Sequence, residues 1–156
     1  MKSKYVILAS ALLISVIAFA QKDQIKAAEK ALKGGNPQEA LTILNGAASA
    51  SASAPDNEKA QFFFVKGNAH LDLATKKVNA DKNLEIATAA YKNLMDVEKA
   101  SGKDKYSSQA TASILDIKIK LLNSAIADTK ADKDIEGAGK LYDAYLLDKK
   151  DTINLY

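Results

Sequence analysis

The side chains able to do chemistry are few. His70 is the single histidine and cysteine is absent, so a His-pair zinc site and every thiolate reaction are closed to this chain. Asp72 is poorly spaced to complete a ligand set with His70, and one histidine on a helix face reads as packing. Serine and aspartate are plentiful, yet the nucleophile elbow G-x-S-x-G is missing. Gly34-Gly35 and Gly137-x-Gly139 lack the Gly-Lys-Ser/Thr of a phosphate loop and the full dinucleotide fingerprint. Asp81, Asp96, Asp128, Asp132 and Asp134 are interleaved with lysines, the pattern of a solvated surface rather than an acid–base pair. These residues predict a non-catalytic protein with no metal and no cofactor. What is left to it is surface.

That surface must be carried by helices. Ile25, Ala28, Ala31 and Leu32 form a narrow stripe over Lys22–Lys33, which Gly34-Gly35-Asn36-Pro37 ends. Pro37 suits the first turn of a second helix reaching Ala48, with Ala40, Leu41, Leu44 and Ala47 inward. Ala47–Ala54, AASASASA, reads either as helix or as a slack joint, and Ser53, Pro55 and Asp56 as the next helix start. A third helix runs from about Asp56 to Lys77 and a fourth from Leu84 to Lys99, joined by Val78–Leu84. Ile86, Ala87, Ala90, Tyr91, Leu94 and Val97 share one face of the fourth. The fifth starts near Lys105 and extends as far as Asp128. Ile114, Ile117, Leu121 and Leu122 form its stripe, which Leu115, Ile119 and Ile126 widen, so this helix is expected to be sandwiched. The sixth, Ile135–Leu147, presents Ala138, Tyr142 and Tyr145.

Gly67 sits mid-helix between Phe63 and His70, on one side of the third helix. A glycine there costs about 1 kcal/mol relative to alanine, and close approach of a second helix is the usual reason. Ala87 and, four residues on, Tyr91 supply that helix: a small residue for the contact and a ring beyond it. A large residue, a glycine, a ring and a downstream small–aromatic pair resemble the tetratricopeptide repeat (TPR). Ala28, Gly35, Ala40, Leu44 and Ala47 match the family's spacing in the first unit, with Gln24 where an aromatic is usual. The resemblance implies an all-α fold of antiparallel helix pairs stacked as a short right-handed solenoid. Its units are about 22–49, 56–100 and 103–150, with Tyr106 and Ala110 opening the third. Gly67 to Ala87 is 20 residues against 12 in the first unit, so later units carry insertions. Residues 151–156 read as the start of a further repeat or as a truncated end.

In such a fold the first helix of each pair lines an inner groove. The resemblance places Phe64, Asn68 and Asp72 on that groove, with Ser107 and Thr111 at the corresponding places of the next unit. Phe64, Asn68, Asp72 and Thr111 are the expected partner-binding residues, Asn68 by hydrogen bonding the backbone of an extended peptide. With Ser107 and Thr111 where a carboxylate clamp would need lysine and asparagine, selection of a C-terminal carboxylate is not expected. Phe62-Phe63-Phe64 cannot all face one way, so at least one ring meets a neighbouring helix, the groove or a partner.

Met1–Ala20 has the form of an export signal: Lys2 and Lys4, the apolar Tyr5–Phe19, then Ala18-Phe19-Ala20 ahead of Gln21. A cleaved signal frees the domain; a retained one holds it at the membrane. Every basic residue is lysine, and the formal charge of +3 includes Lys2 and Lys4. A near-neutral body without arginine argues against nucleic acid as the main partner. Lysine without arginine, frequent Asn and Ile, and Ala20-Gln21 resemble exported proteins of Bacteroidetes-type Gram-negative bacteria. The expected role is a protein- or peptide-binding scaffold in the periplasm or envelope. The alternatives are a helical spacer, or the N-terminal interaction domain of a longer protein.

Overall fold

The computed structural model describes residues 22–51 and 53–152. These form six helices and no strand, in keeping with the all-α expectation: α1 (22–33), α2 (Pro37–Ser51), α3 (Asp56–Thr75), α4 (Ala80–Ser101), α5 (Ser107–Lys130) and α6 (Asp134–Thr152). The predicted export signal lies outside the described residues, as do residues 153–156. Among the described residues no helix is long and apolar enough to cross a membrane. The chain divides into two compact units, one through Ser107 and one from Ser108 onward.

In the first unit, α1, α2 and α3 close on one core. Ile25 and Ala28 from α1 meet Ala40, Leu41, Leu44 and Ala47 from α2 and Phe62, Val65, Ala69 and Leu73 from α3. The alanines recur on the buried stripes, where a methyl fills the space without holding the helices apart. The AASASASA stretch is helical through Ser51, so α2 outlasts its expected end. α3 begins with Pro55 at the N-cap, two residues after Ser53, and takes acidic support from Asp56 and Glu58 in its first turn.

Three helix ends in this unit share one geometry. After α1, Asn36 N–H donates to Ala31 O and Gly35 N–H to Leu32 O, with Gly35 at φ +80°. This is the Schellman closure, which needs a left-handed residue. α4 ends the same way through Gly102 at φ +65°, and α3 through Lys77 at φ +61°. A lysine in that conformation announces nothing in the sequence. As a result the α3–α4 connection is only Lys76–Asn79, and the expected longer link over Val78–Leu84 is already helix from Ala80. The extra residues between Gly67 and Ala87 lengthen the two helices instead of looping out.

α3 and α4 run antiparallel, since Gly67 and Asn68 meet Tyr91 while His70, further along α3, meets Asn83, earlier in α4. The close approach expected at Gly67 is present, but in a different form. The Tyr91 ring lies directly on the glycine rather than beyond it. A Cβ at Gly67 would stand 2.6 Å from Cε1 of Tyr91 and 2.9 Å from Cδ1 and Cζ. Tyr91 and Ala87 are both fully buried.

In the second unit Ala110, Ile117, Leu121 and Ala125 of α5 are buried, along with Ala144 of α6. Here two expectations are corrected. α6 seats Gly137, not Ala138, on α5: a Cβ at Gly137 would lie 2.9 Å from Thr129 Oγ1 and 3.1 Å from Ala125 O. Lys140, one turn on, donates to Asp128 at 2.6 Å and to Ser124 at 2.8 Å. That register turns Ala138, Tyr142 and Tyr145 outward, the two rings 6.5 Å apart and mostly exposed. Nor is α5 covered all round, because Leu115, Ile119 and Ile126 are about half exposed. The wide apolar arc is real; the described residues bury only part of it.

Candidate functional site

The face built on α1 and α3 begins with a buried hydroxyl. Tyr91 is fully enclosed, and a phenol removed from water needs a partner. Its OH donates to Asn68 Oδ1 at 2.6 Å across the α3–α4 seam. With that oxygen committed, the planar amide directs its NH2 group the other way, and no described residue accepts from it. Asn68 is therefore half-buried, fixed in orientation, and presents two donors.

Phe64 and Gln61 continue the same side of α3, one and two turns before Asn68. Phe64 stacks on Tyr106 with centroids 4.7 Å apart and an interplanar angle of 23°, and Lys105 Nζ stands 4.9 Å from the Tyr106 centroid. Gln61 donates to Glu29 of α1 at 3.0 Å, and Glu29 pairs with Lys33 at 2.7 Å. The Lys33 bond holds the Glu29 carboxyl below its usual range against the opposing effect of burial, with Gln61 and the nearby Lys105 assisting. α1, α3 and the segment before α5 thus contribute to one continuous surface. Asp72 lies at its far end, paired with Lys76 at 3.0 Å, and Lys76 also donates to Gly35 O at 2.9 Å.

Tyr106 is held in place by a residue outside the expected set. Glu98, in the last turn of α4, is 2 % exposed. Its carboxylate accepts from the amides of Lys105, Tyr106 and Ser107 at 2.9–3.1 Å and from the Ser107 hydroxyl at 2.7 Å. Burial pushes this carboxyl up, but the Ser107 hydroxyl and the three amides outweigh it and leave it below its usual value. The orphan amides opening α5 are satisfied by an anion, which the helix N-terminus favours. Glu98 falls on the buried stripe with Leu84, Ala87, Tyr91 and Leu94, and a charge on that stripe was the available signal.

His70 is absorbed into the α3–α4 seam. Asn83 donates through Nδ2 to Val78 O at 2.7 Å, which turns its Oδ1 to accept from His70 Nδ1–H at 2.6 Å. Burial lowers the His70 pKa, the Asn83 bond opposes this, and Lys66 lowers it further. The folded state therefore binds this proton less readily than the unfolded chain. Stability from His70 is complete above the ordinary histidine pKa of about 6.5 and is lost as pH falls through the lower folded value. Urea midpoints from pH 8 to pH 5.5 should decline in the wild type, and more shallowly in His70→Gln.

Of the four expected partner-binding residues, Phe64, Asn68 and Asp72 share the first unit's face, and each is engaged within the chain, with Tyr106, Tyr91 and Lys76 respectively. Thr111 is an exposed residue of α5 in the second unit. Tyr106 and Glu29 join the face without having been expected there. Among the described residues no group of three His, Asp or Glu side chains is placed to hold a metal ion. Comparisons with protein-family models, with curated proteins and with solved structures give no match.

Proposed function

We propose that this protein is a non-catalytic, TPR-like scaffold of the bacterial cell envelope, stacked as a right-handed solenoid, whose α1–α3 face grips an extended segment of a partner protein. The observation that carries the reading is Asn68: its oxygen is locked by a buried tyrosine, and its NH2 group has no acceptor among the described residues, one helical turn from Phe64 of the stacked Phe64–Tyr106 pair. A preset donor pair next to a flat apolar patch suits a peptide, whose carbonyls accept and whose side chains fill. Preorganisation lowers the ordering cost of binding.

A photo-crosslinking residue at Gln61, in cells expressing the full-length chain, tests this. Discrete adducts should form at Gln61 and not at exposed Glu85 on α4. Equal labelling at both positions, or none at either, contradicts it.

A second reading, the interaction module of a longer helical array, is favoured by the half-exposed Leu115, Ile119 and Ile126 of α5 and the exposed Leu141 and Tyr142 of α6. A following helix pair would bury such a stripe. The mass of the native gene product separates the two.

A further inference from the structure

We infer that the segment taken by the α1–α3 face is an acidic one: an extended polypeptide rich in Asp and Glu that also carries an apolar side chain for the Phe64–Tyr106 stack. The inference rests on the groove reading above and adds the chemistry of the partner.

Its basis is where the charge lies. Lys22, Lys26, Glu29 and Lys33 recur at helical spacing on one stripe of α1, and Glu29 marks that stripe as the side facing Gln61 of α3. Asp72 and Lys76 close the α3 end, and Lys105 stands over Tyr106. Five lysines therefore meet two carboxylates, an excess of three positive charges on one face. The two carboxylates pair most closely with Lys33 and Lys76, and Lys105 also acts on Glu29, so the surplus of three is carried by Lys22, Lys26 and Lys105 together. Neighbouring Lys103 and Asp104 cancel, and the charge of Glu98 is enclosed by the α5 amides.

The whole chain carries +3, two of which are Lys2 and Lys4. The remainder is nearly neutral, so an excess of three on this face makes the rest of the body acidic on balance. This segregation decides the sign of the partner. At physiological salt, charges act over about 8 Å, so this face and not the net charge is what an approaching segment meets. Lysines present point charges without the forked geometry that reads phosphate in pairs, which favours carboxylates spaced along a chain over a nucleic-acid backbone.

The test uses protein purified from cells expressing the full-length chain, and fluorescein-labelled peptides of equal length. In these, leucine alternates with glutamate, glutamine or lysine. The glutamate peptide should bind about tenfold or more tighter than the glutamine peptide, the lysine peptide weakest, and the preference should shrink with added salt. Lys26→Glu with Lys105→Glu should abolish the preference while leaving the circular dichroism spectrum intact, and Lys26→Arg with Lys105→Arg should preserve it.

Equal binding of all three peptides, weakened by Phe64→Ala, would overturn the acidic preference and leave the groove standing. No binding of any peptide would overturn both. Tighter binding of phosphatidylglycerol vesicles or of a single-stranded oligonucleotide than of the glutamate peptide would overturn the assignment to an acidic polypeptide.

Discussion

Gly67→Ala is expected to destabilise the protein by about 2–3 kcal/mol, the cost of overpacking a rigid core. The sign is what makes the experiment informative. Helix propensity alone favours alanine over glycine by about 1 kcal/mol at an interior position. Against this stands a methyl group 2.6 Å from the Tyr91 ring, closer than two carbon atoms can approach. The ring has little freedom to withdraw: it is fully buried, and its hydroxyl is tied to Asn68 on the same helix as the glycine. Relief requires α3 and α4 to separate, which loosens Ala87, Ala90 and Leu94 as well. Urea denaturation of the single variant reads the difference. A companion Gly46→Ala, at a helical position with open space around it, should instead be neutral or stabilising.

Glu98→Ala should cost about 3 kcal/mol or more, because three amides and a hydroxyl lose a charged acceptor together. Glu98→Gln keeps the shape but turns an NH2 group toward donors, so it should recover only part of the loss. The pH dependence follows from the sign of the shift. The folded carboxyl lies below its ordinary value, so its contribution is complete above the unfolded pKa and disappears as pH falls through the folded one. The wild type should therefore lose stability below about pH 5, a slope that Glu98→Gln should lack in part. Since Glu98 fixes the segment bearing Tyr106, both variants should also weaken capture at the Phe64–Tyr106 face. Differential scanning calorimetry across pH separates the stability effect from the binding effect.

The helices were legible because their apolar spacing is local. Ile25, Ala28, Ala40, Leu41, Leu44 and Ala47 are all buried, as the stripes require. A glycine mid-helix beside large residues pointed correctly to a close approach, although not to the ring as the group that makes it. Lys77 shows one limit: a left-handed helix end is obvious with Gly35 or Gly102 but invisible with lysine, so the sequence does not reveal the four residues of α4 that precede Leu84. α6 shows another. Gly137, Ala138 and Gly139 offer three adjacent small residues, and the aromatic pair Tyr142 and Tyr145 points to Ala138, the wrong one. The Lys140–Asp128 pair and the seat on Thr129 settle the register through contacts with α5, which no periodicity within α6 encodes.

At the face, Phe64 and Asn68 followed from the repeat pattern, while their partners did not. Hydrogen bonds between Tyr91 and Asn68, and between Glu98 and a string of backbone amides, depend on distances across a seam. Residue types alone leave many such pairings open.

Tyr91→Phe tests most directly whether the buried hydroxyl sets the amide that meets the partner. The ring stays on Gly67 while the bond to Asn68 is removed, at a cost of about 1 kcal/mol in stability. With the crosslinker at Gln61, adduct yield should fall several-fold in this variant although it remains folded. An undiminished yield from folded Tyr91→Phe protein would contradict the role given to Asn68 and, with it, the preset face.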